Sequence, residues 1–135
     1  MVIRVEKFTR EHFATVRGWW AERGGGNMPK GVLPPCGFVA FDETGQPSAA
    51  GWVYFPEGCK VAFLDWFVTR PGMRPRAARQ CLRLVLASIE GEAVLRGRRH
   101  LLAATPFAII AAEAAECGFE VVENNAIHLV KNLKP

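Results

Sequence analysis

Apolar and charged residues alternate from Val2 to Lys7, the period of a half-buried strand. The period then lengthens. Thr9 stands as a cap, Glu11 and His12 occupy a first turn, and Phe13, Val16, Trp19 and Trp20 recur near helical spacing until Gly24-Gly25-Gly26 stops the helix. Pro29, Pro34 and Pro35 forbid regular structure between Asn27 and Gly37, which predicts a loop of the kind that either carries function or simply connects. Two apolar runs, Gly37 to Phe41 and Ala49 to Phe55, flank the turn-forming Asp42-Glu43-Thr44-Gly45-Gln46-Pro47 and predict a hairpin. A turn at Pro56-Glu57-Gly58 leads into a third strand, Lys60 to Thr69, completing an antiparallel meander.

Pro71 and Gly72 end that strand. From Pro75 the positions Ala78, Cys81, Leu82, Val85, Ile89 and Ala93 keep helical spacing to Leu95, the longest helix of the chain, and Gly97 ends it. Leu101 to Ala104 predicts a short buried strand. Thr105 as cap and Pro106 as first residue open another helix, which closes at Cys117-Gly118. Two final strands, Glu120 to Glu123 and Ala126 to Lys131, turn at Asn124-Asn125. The segment Lys60 to Ala104 is a strand-helix-strand crossover, which is right-handed as a rule and sets its two strands parallel. The expected fold class is therefore α/β (α+β): one domain over residues 1–135, with a mixed, largely antiparallel sheet of about six to seven strands, a central parallel pair, and about three to four flanking helices.

A chain of 135 residues is long enough for one core and too short for two. With 50% hydrophobic and 22% charged residues it lies far from disordered compositions. The apolar stretch Leu101 to Ala112 is broken by Pro106 and falls short of the roughly 20 residues that a membrane span needs. The opening Met-Val-Ile-Arg has no secretory leader pattern, so a cytoplasmic location and no membrane partner are expected. Cys36, Cys59, Cys81 and Cys117 form no C-x-x-C pair, and His12, His100 and His128 are scattered, so no metal site is predicted and mostly buried thiols are expected. The net charge of +4 is concentrated in Arg70, Arg74, Arg76, Arg79 and Arg83, followed by Arg96, Arg98 and Arg99. Such a cluster is either a solvated helix face or a site for a polyanion, meaning a phosphate-bearing cofactor or a nucleic acid. Nucleic acid is disfavoured, because no stacking pattern of aromatic and basic residues lies beside the cluster and no recognition-helix signature is present.

Several segments carry a resemblance. Val68-Thr69-Arg70-Pro71-Gly72-Met73-Arg74-Pro75-Arg76-Ala77-Ala78-Arg79-Gln80-Cys81-Leu82 resembles the strand, the [QR]-x-x-G-x-[GA] loop and the following helix of the GNAT N-acetyltransferases, and Ala115-Glu116-Cys117-Gly118-Phe119 resembles their helix end before Gly-Phe. More narrowly, Trp19-Trp20, Leu33-Pro34-Pro35-Cys36-Gly37-Phe38 and His128-Leu129-Val130-Lys131 look like small acetyltransferase-like proteins of phages and prophages. The resemblance implies a sheet that splays between its fourth and fifth strands to admit the pantetheine arm of acetyl-CoA. It implies an acyl-CoA-dependent N-acyltransferase with acetyl-CoA as co-substrate and an amine of unknown identity as acceptor, and it admits a homodimer. Cofactor contacts would come from Trp66 and Val68 on the strand and from Arg74, Arg76, Ala77, Ala78 and Arg79 where the loop enters the helix. Backbone N–H groups at a helix start lack intrahelical partners and attract phosphate. Arg74 matches the [QR] position, while the two expected small positions hold Ala77 and Arg79. Alanine tolerates that backbone; Arg79 must either fold away or pair with phosphate itself.

For the chemistry, Asp65 is the candidate general base. Strand alternation places it on one face with Phe63 and Phe67, and bulky apolar neighbours are expected to raise its pKa, which favours a general base. The alternative is a carboxylate bonded to nearby amides or to an arginine. The position that matches the family's tyrosine acid holds Ala114, and Tyr54, the one tyrosine, lies on a different strand. Glu113 and Glu116 are expected to face solvent. Trp19, Trp20, Trp52 and Trp66 serve as packing or as the wall of an acceptor pocket. Cys117 at the helix end is either an inert thiol or a proton donor to the leaving thiolate. Two further functions compete with acyl transfer: a non-catalytic GNAT-like binding protein, such as a phage factor engaging a host protein, and a nucleic-acid binder.

Overall fold

The structure is a computed structural model of the 135-residue chain, and it describes residues 3–24, 31–105 and 107–124, with 129, 131 and 133 as isolated positions. In chain order the elements are β1 (Arg4–Lys7), a 3-10 turn (Arg10–His12), α1 (Phe13–Glu22), β2 (Cys36–Phe41), β3 (Pro47–Tyr54), β4 (Val61–Thr69), α2 (Pro75–Leu95), β5 (His100–Ala103) and α3 (Ala108–Glu116). The described strands form one sheet in the order β1-β2-β3-β4-β5. Pairing is antiparallel through β4 and parallel between β4 and β5. The meander and the parallel crossover pair are thus both present.

Five strands are described against an expectation of about six to seven. Glu120 to Glu123 is not a strand: Val121 and Val122 are exposed and no ladder reaches them among the described residues, and alternation without a partner makes no sheet. Ala126 to Lys131 lies almost wholly outside the described residues. Two helix starts also move. Thr9 leads first into the 3-10 turn, where His12 Nδ1 accepts the Thr9 N–H at 3.3 Å, so α1 proper begins at Phe13. Thr105 Oγ1 accepts the Phe107 N–H at 3.1 Å, and α3 begins only at Ala108, with Phe107 as its extended N-cap residue; Pro106 is outside the described residues.

Both faces of the sheet are covered, which is why β2 and β3 read as continuous apolar runs rather than as alternation. On one face Val16, Trp19 and Trp20 of α1 pack with Val39, Phe41, Ala50, Trp52 and Val68. On the other, Cys81, Leu82, Val85, Leu86, Ile89 and Ala93 of α2 pack with Phe38, Ala40, Val53, Leu64 and Phe67 among others. Three of the four tryptophans are therefore packing residues, with Trp66 half-buried beside them. The thiols depart from expectation: Cys81 is buried and Cys36 half-buried, but Cys59 and Cys117 sit in turns and are exposed. Among the described residues no helix is long and apolar enough to cross a membrane.

Candidate active site

The site begins with an irregularity in β4. Trp52 pairs with Asp65 and Ala50 with Val68, so Gly51 alone on β3 stands opposite Trp66 and Phe67. This is a β-bulge, one residue facing two. Trp66 takes a φ of 63°, the left-handed region that costs a bulky residue about 1–3 kcal/mol. Its polar groups are all held: the N–H donates to Asp65 Oδ1 at 2.8 Å, the carbonyl accepts Trp20 Nε1–H at 3.3 Å, and Nε1–H donates to the Tyr54 hydroxyl at 2.9 Å. The Tyr54 hydroxyl in turn donates to the Val32 carbonyl at 3.1 Å.

The bulge corrects the expected placement of Asp65. Strict alternation puts Phe63, Asp65 and Phe67 on one face, but the extra residue reverses the order beyond Asp65. Phe67 packs into the α2-side core, while Asp65 and Phe63 stay on the α1 side, exposed. Asp65 is bonded to an amide, as the alternative expectation had it, and it also stands at a cavity.

That cavity forms because β4 and β5 part. Their ladder runs from Val61 opposite His100 to Leu64 opposite Ala103 and stops there, although β4 continues to Thr69. A cavity of about 450 Å³ opens at the end of the ladder, lined by Tyr54, Phe63, Leu64, Asp65, Leu102, Ala103 and Ala104. Phe107, just beyond β5, packs against both core clusters, and its ring lies 5.5 Å from the Trp20 ring. Tyr54 is the residue that sequence reasoning set aside. It belongs to a different strand, yet it is the register partner of Phe63 and so lines the same cavity as Asp65.

After β4, Gly72 turns the chain at a φ of 83°, and Arg74 is the extended N-cap residue of α2 with Pro75 in its first turn. The first helical hydrogen bond runs from the Ala78 N–H to the Arg74 carbonyl at 3.0 Å. The N–H groups of Arg76 and Ala77 precede it and have no backbone partner among the described residues. A 21-residue helix thus presents unpaired amides at its positive end. Arg74 and Arg76 are exposed there and make no ion pair among the described residues, while Ala77 is half-buried and Ala78 buried. Val68 is also buried, its side chain packed in the α1-side core.

Arg79 has folded away. Its Nε lies 3.3 Å from Glu113 Oε1, and Arg83 Nε donates to Glu113 Oε2 at 2.7 Å. This overturns the expectation that Glu113 faces solvent: it is 4% exposed, on the α3 face that meets α2, and charge pairing makes that burial tolerable. Glu116, one turn on, is exposed as expected. Bonding to Glu113, ahead of the direct charge interaction, holds the Arg83 guanidinium above its already high pKa. Arg70 is equally committed, to Asp42 at 2.9 Å and to the Pro47 carbonyl at 3.0 Å. Arg98 is bonded to the carbonyls of Pro56 and Val61, and Arg96 lies over the Phe55 ring at 4.0 Å. The arginine cluster is therefore mostly structural; among the described residues Arg74 and Arg76 at the start of α2, and Arg99 before β5, make no side-chain hydrogen bond or ion pair.

Arg23 escaped notice in the sequence. From the end of α1 its Nε donates to the Thr69 carbonyl at 2.9 Å and its Nη2 to Thr69 Oγ1 at 2.8 Å. The spacing of Trp20 and Arg23, one helical turn apart, was the available signal, since both tie α1 to β4. Ala114 sits half-buried in α3 and brings no hydroxyl. Cys117 is exposed at the α3 terminus, and loss of solvation raises its thiol pKa more than the neighbouring Arg83 lowers it.

The architecture is the GNAT fold, in which a parallel pair parts beside a bulged strand that runs into a helix N-terminus. Among solved structures, the chain is similar to aminoglycoside N-acetyltransferase AAC(6')-Iy in complex with CoA, with a TM-score of 0.64 at 18% identity over 97% of this chain and 96% of that one. It is also similar to a Trypanosoma brucei acetyltransferase, with a TM-score of 0.69 at 10% identity over 96% and 100% of the two chains. A glucosamine-6-phosphate N-acetyltransferase from Arabidopsis thaliana aligns with a TM-score of 0.57 at 12% identity, over 99% of this chain and all of that one. No protein-family profile matches the chain, and no curated protein does.

Proposed function

We propose that the chain is an acyl-CoA-dependent N-acyltransferase that moves an acetyl group from acetyl-CoA to an amine. The observation that carries this is the end of the β4–β5 ladder at Leu64 and Ala103, which opens a cavity beside Asp65, while β4 runs on to the unpaired amides of α2. The phosphates of CoA would lie on the Arg76 and Ala77 amides with Arg74 and Arg76 beside them, and the pantetheine arm along β4 past Val68 and Trp66. Because Arg79 is drawn off by Glu113, its side chain leaves the Ala77 and Ala78 backbone open to approach. The same cofactor is named in the AAC(6')-Iy complex.

Asp65 would take a proton from the incoming ammonium, directly or through one water. The freed nitrogen bonds to the acyl carbon, the C–S bond breaks, and the second proton that the nitrogen sheds ends on the leaving thiolate, directly or through water. A second reading, a CoA-binding protein without catalysis, is favoured by Ala114, which has no proton to give where the family resemblance calls for a tyrosine. Thiol release from acetyl-CoA on adding amines separates the two. Amine-dependent release supports transfer; bound CoA with no release across a broad amine panel supports the binding protein.

A further inference from the structure

Resting on the reading of the β4–α2 junction as a CoA site, we propose that Arg23 of α1 is a positioning residue for the phosphates, acting through Thr69 and Arg70 to fix the turn that leads to the helix-start amides. The turn Pro71–Arg74 has little to hold it from within. Pro71, Gly72 and Met73 take part in no backbone hydrogen bond among the described residues, and Gly72 has a φ of 83°. Such a segment is only as rigid as its anchors. At its exit the anchor is α2, whose first bond joins the Ala78 N–H to the Arg74 carbonyl at 3.0 Å. Midway, the half-buried Met73 packs against the α2-side core.

Two arginines hold the entry. Arg70 reaches back to the β2–β3 hairpin: its N–H donates to the Ser48 carbonyl at 2.8 Å and its Nη2 to Asp42 Oδ2 at 2.9 Å. Arg23 reaches in from α1, donating from Nε to the Thr69 carbonyl at 2.9 Å, and from Nη2 to Thr69 Oγ1 at 2.8 Å and to the Arg70 carbonyl at 3.4 Å. These three acceptors are neutral and belong to the two residues before Pro71, so the planar guanidinium fork braces the chain at the mouth of the turn. Trp20, three residues before Arg23, bonds the carbonyl of Trp66, three residues before Thr69. The last turn of α1 thus holds β4 both at its bulge and at its end. A braced entry leaves the turn less freedom to give up when a phosphate meets the Arg76 and Ala77 amides, and preorganisation of this kind is read out as affinity.

The test is calorimetric titration of the full chain with CoA, beside thermal melting. Arg23→Met should weaken CoA binding about tenfold. Thr69→Val, which keeps the Arg23 charge and removes one of its acceptors, should weaken it about threefold, since a hydrogen bond to a charged group is worth at least that much. The double variant should bind no more weakly than Arg23→Met alone, because both changes break the same contact. A lower melting midpoint with the dissociation constant unchanged assigns Arg23 to stability alone and overturns the proposal. Thr69→Val binding like the parent while Arg23→Met is weakened also overturns it, for the Arg23 charge then acts on the ligand directly. Should Arg23→Met fail to fold, Thr69→Val decides by itself. A parent chain that binds no CoA removes the site and this inference with it, whereas equal binding by the parent and both variants removes only the brace.

Discussion

Trp66 is where strain and chemistry meet. Its left-handed backbone persists because α1, β3 and Asp65 each take one of its polar groups. Asp65 thus has a structural duty as well as the proposed catalytic one, and Asp65→Asn separates them, since the amide oxygen still accepts the Trp66 N–H. Turnover should fall by about 10²–10⁴ with CoA affinity and denaturation midpoint nearly unchanged, because general-base catalysis contributes on that scale; kinetics beside thermal melting checks it. The bulge depends on Gly51, where an added Cβ would clash with the Phe67 ring. Gly51→Ala should therefore cost about 1–3 kcal/mol in chemical denaturation, the range for overpacking a core. Neither feature was legible in the sequence. Alternation is a local rule, and the extra residue that breaks it is fixed by pairing with β3, where a glycine clears room for Phe67. The charge at Asp65 was readable; its neighbours were not.

At the scale of elements, most was legible because each helix carries its own period and each strand an apolar run, bounded by turn residues. What failed depended on contacts between elements: Glu113 looked solvent-facing from α3 alone, and only the arginines of α2 explain its burial. That pairing divides the arginines by role. Arg76→Glu should lower CoA affinity at least tenfold, about 1.4 kcal/mol, with little change in stability. Arg79→Glu should instead lower the denaturation midpoint, by setting two carboxylates together at the α2–α3 contact. The β2–β3 turn makes a pH prediction. Burial alone would raise the Asp42 carboxyl, but bonds from the Thr44 hydroxyl, Arg70 and the Gln46 and Thr44 amides outweigh it and hold the group well below the usual carboxylate range. A depressed folded value stabilises the fold fully above the ordinary value of 3.8 and progressively less as pH falls below it. Denaturation midpoints should drop in that acid window, and Asp42→Asn should flatten the drop.

At the scale of the molecule, one geometric event organises the site. Two parallel strands part after four residue pairs, and the cavity, the bulge and the start of α2 follow in order along β4. The crossover that makes the pair parallel was readable from Lys60 to Ala104; the point of parting was not, because β4 runs on as an unbroken strand to Thr69 while its ladder with β5 ends at Leu64. Calorimetric titration of the full chain with CoA and acetyl-CoA tests this arrangement most directly. One molecule of either should bind per chain, and Arg76→Glu should weaken both at least tenfold while Phe63→Ser leaves CoA binding intact. No heat of binding for either ligand, or equal binding by the Arg76→Glu variant, would contradict a CoA site between β4 and the start of α2.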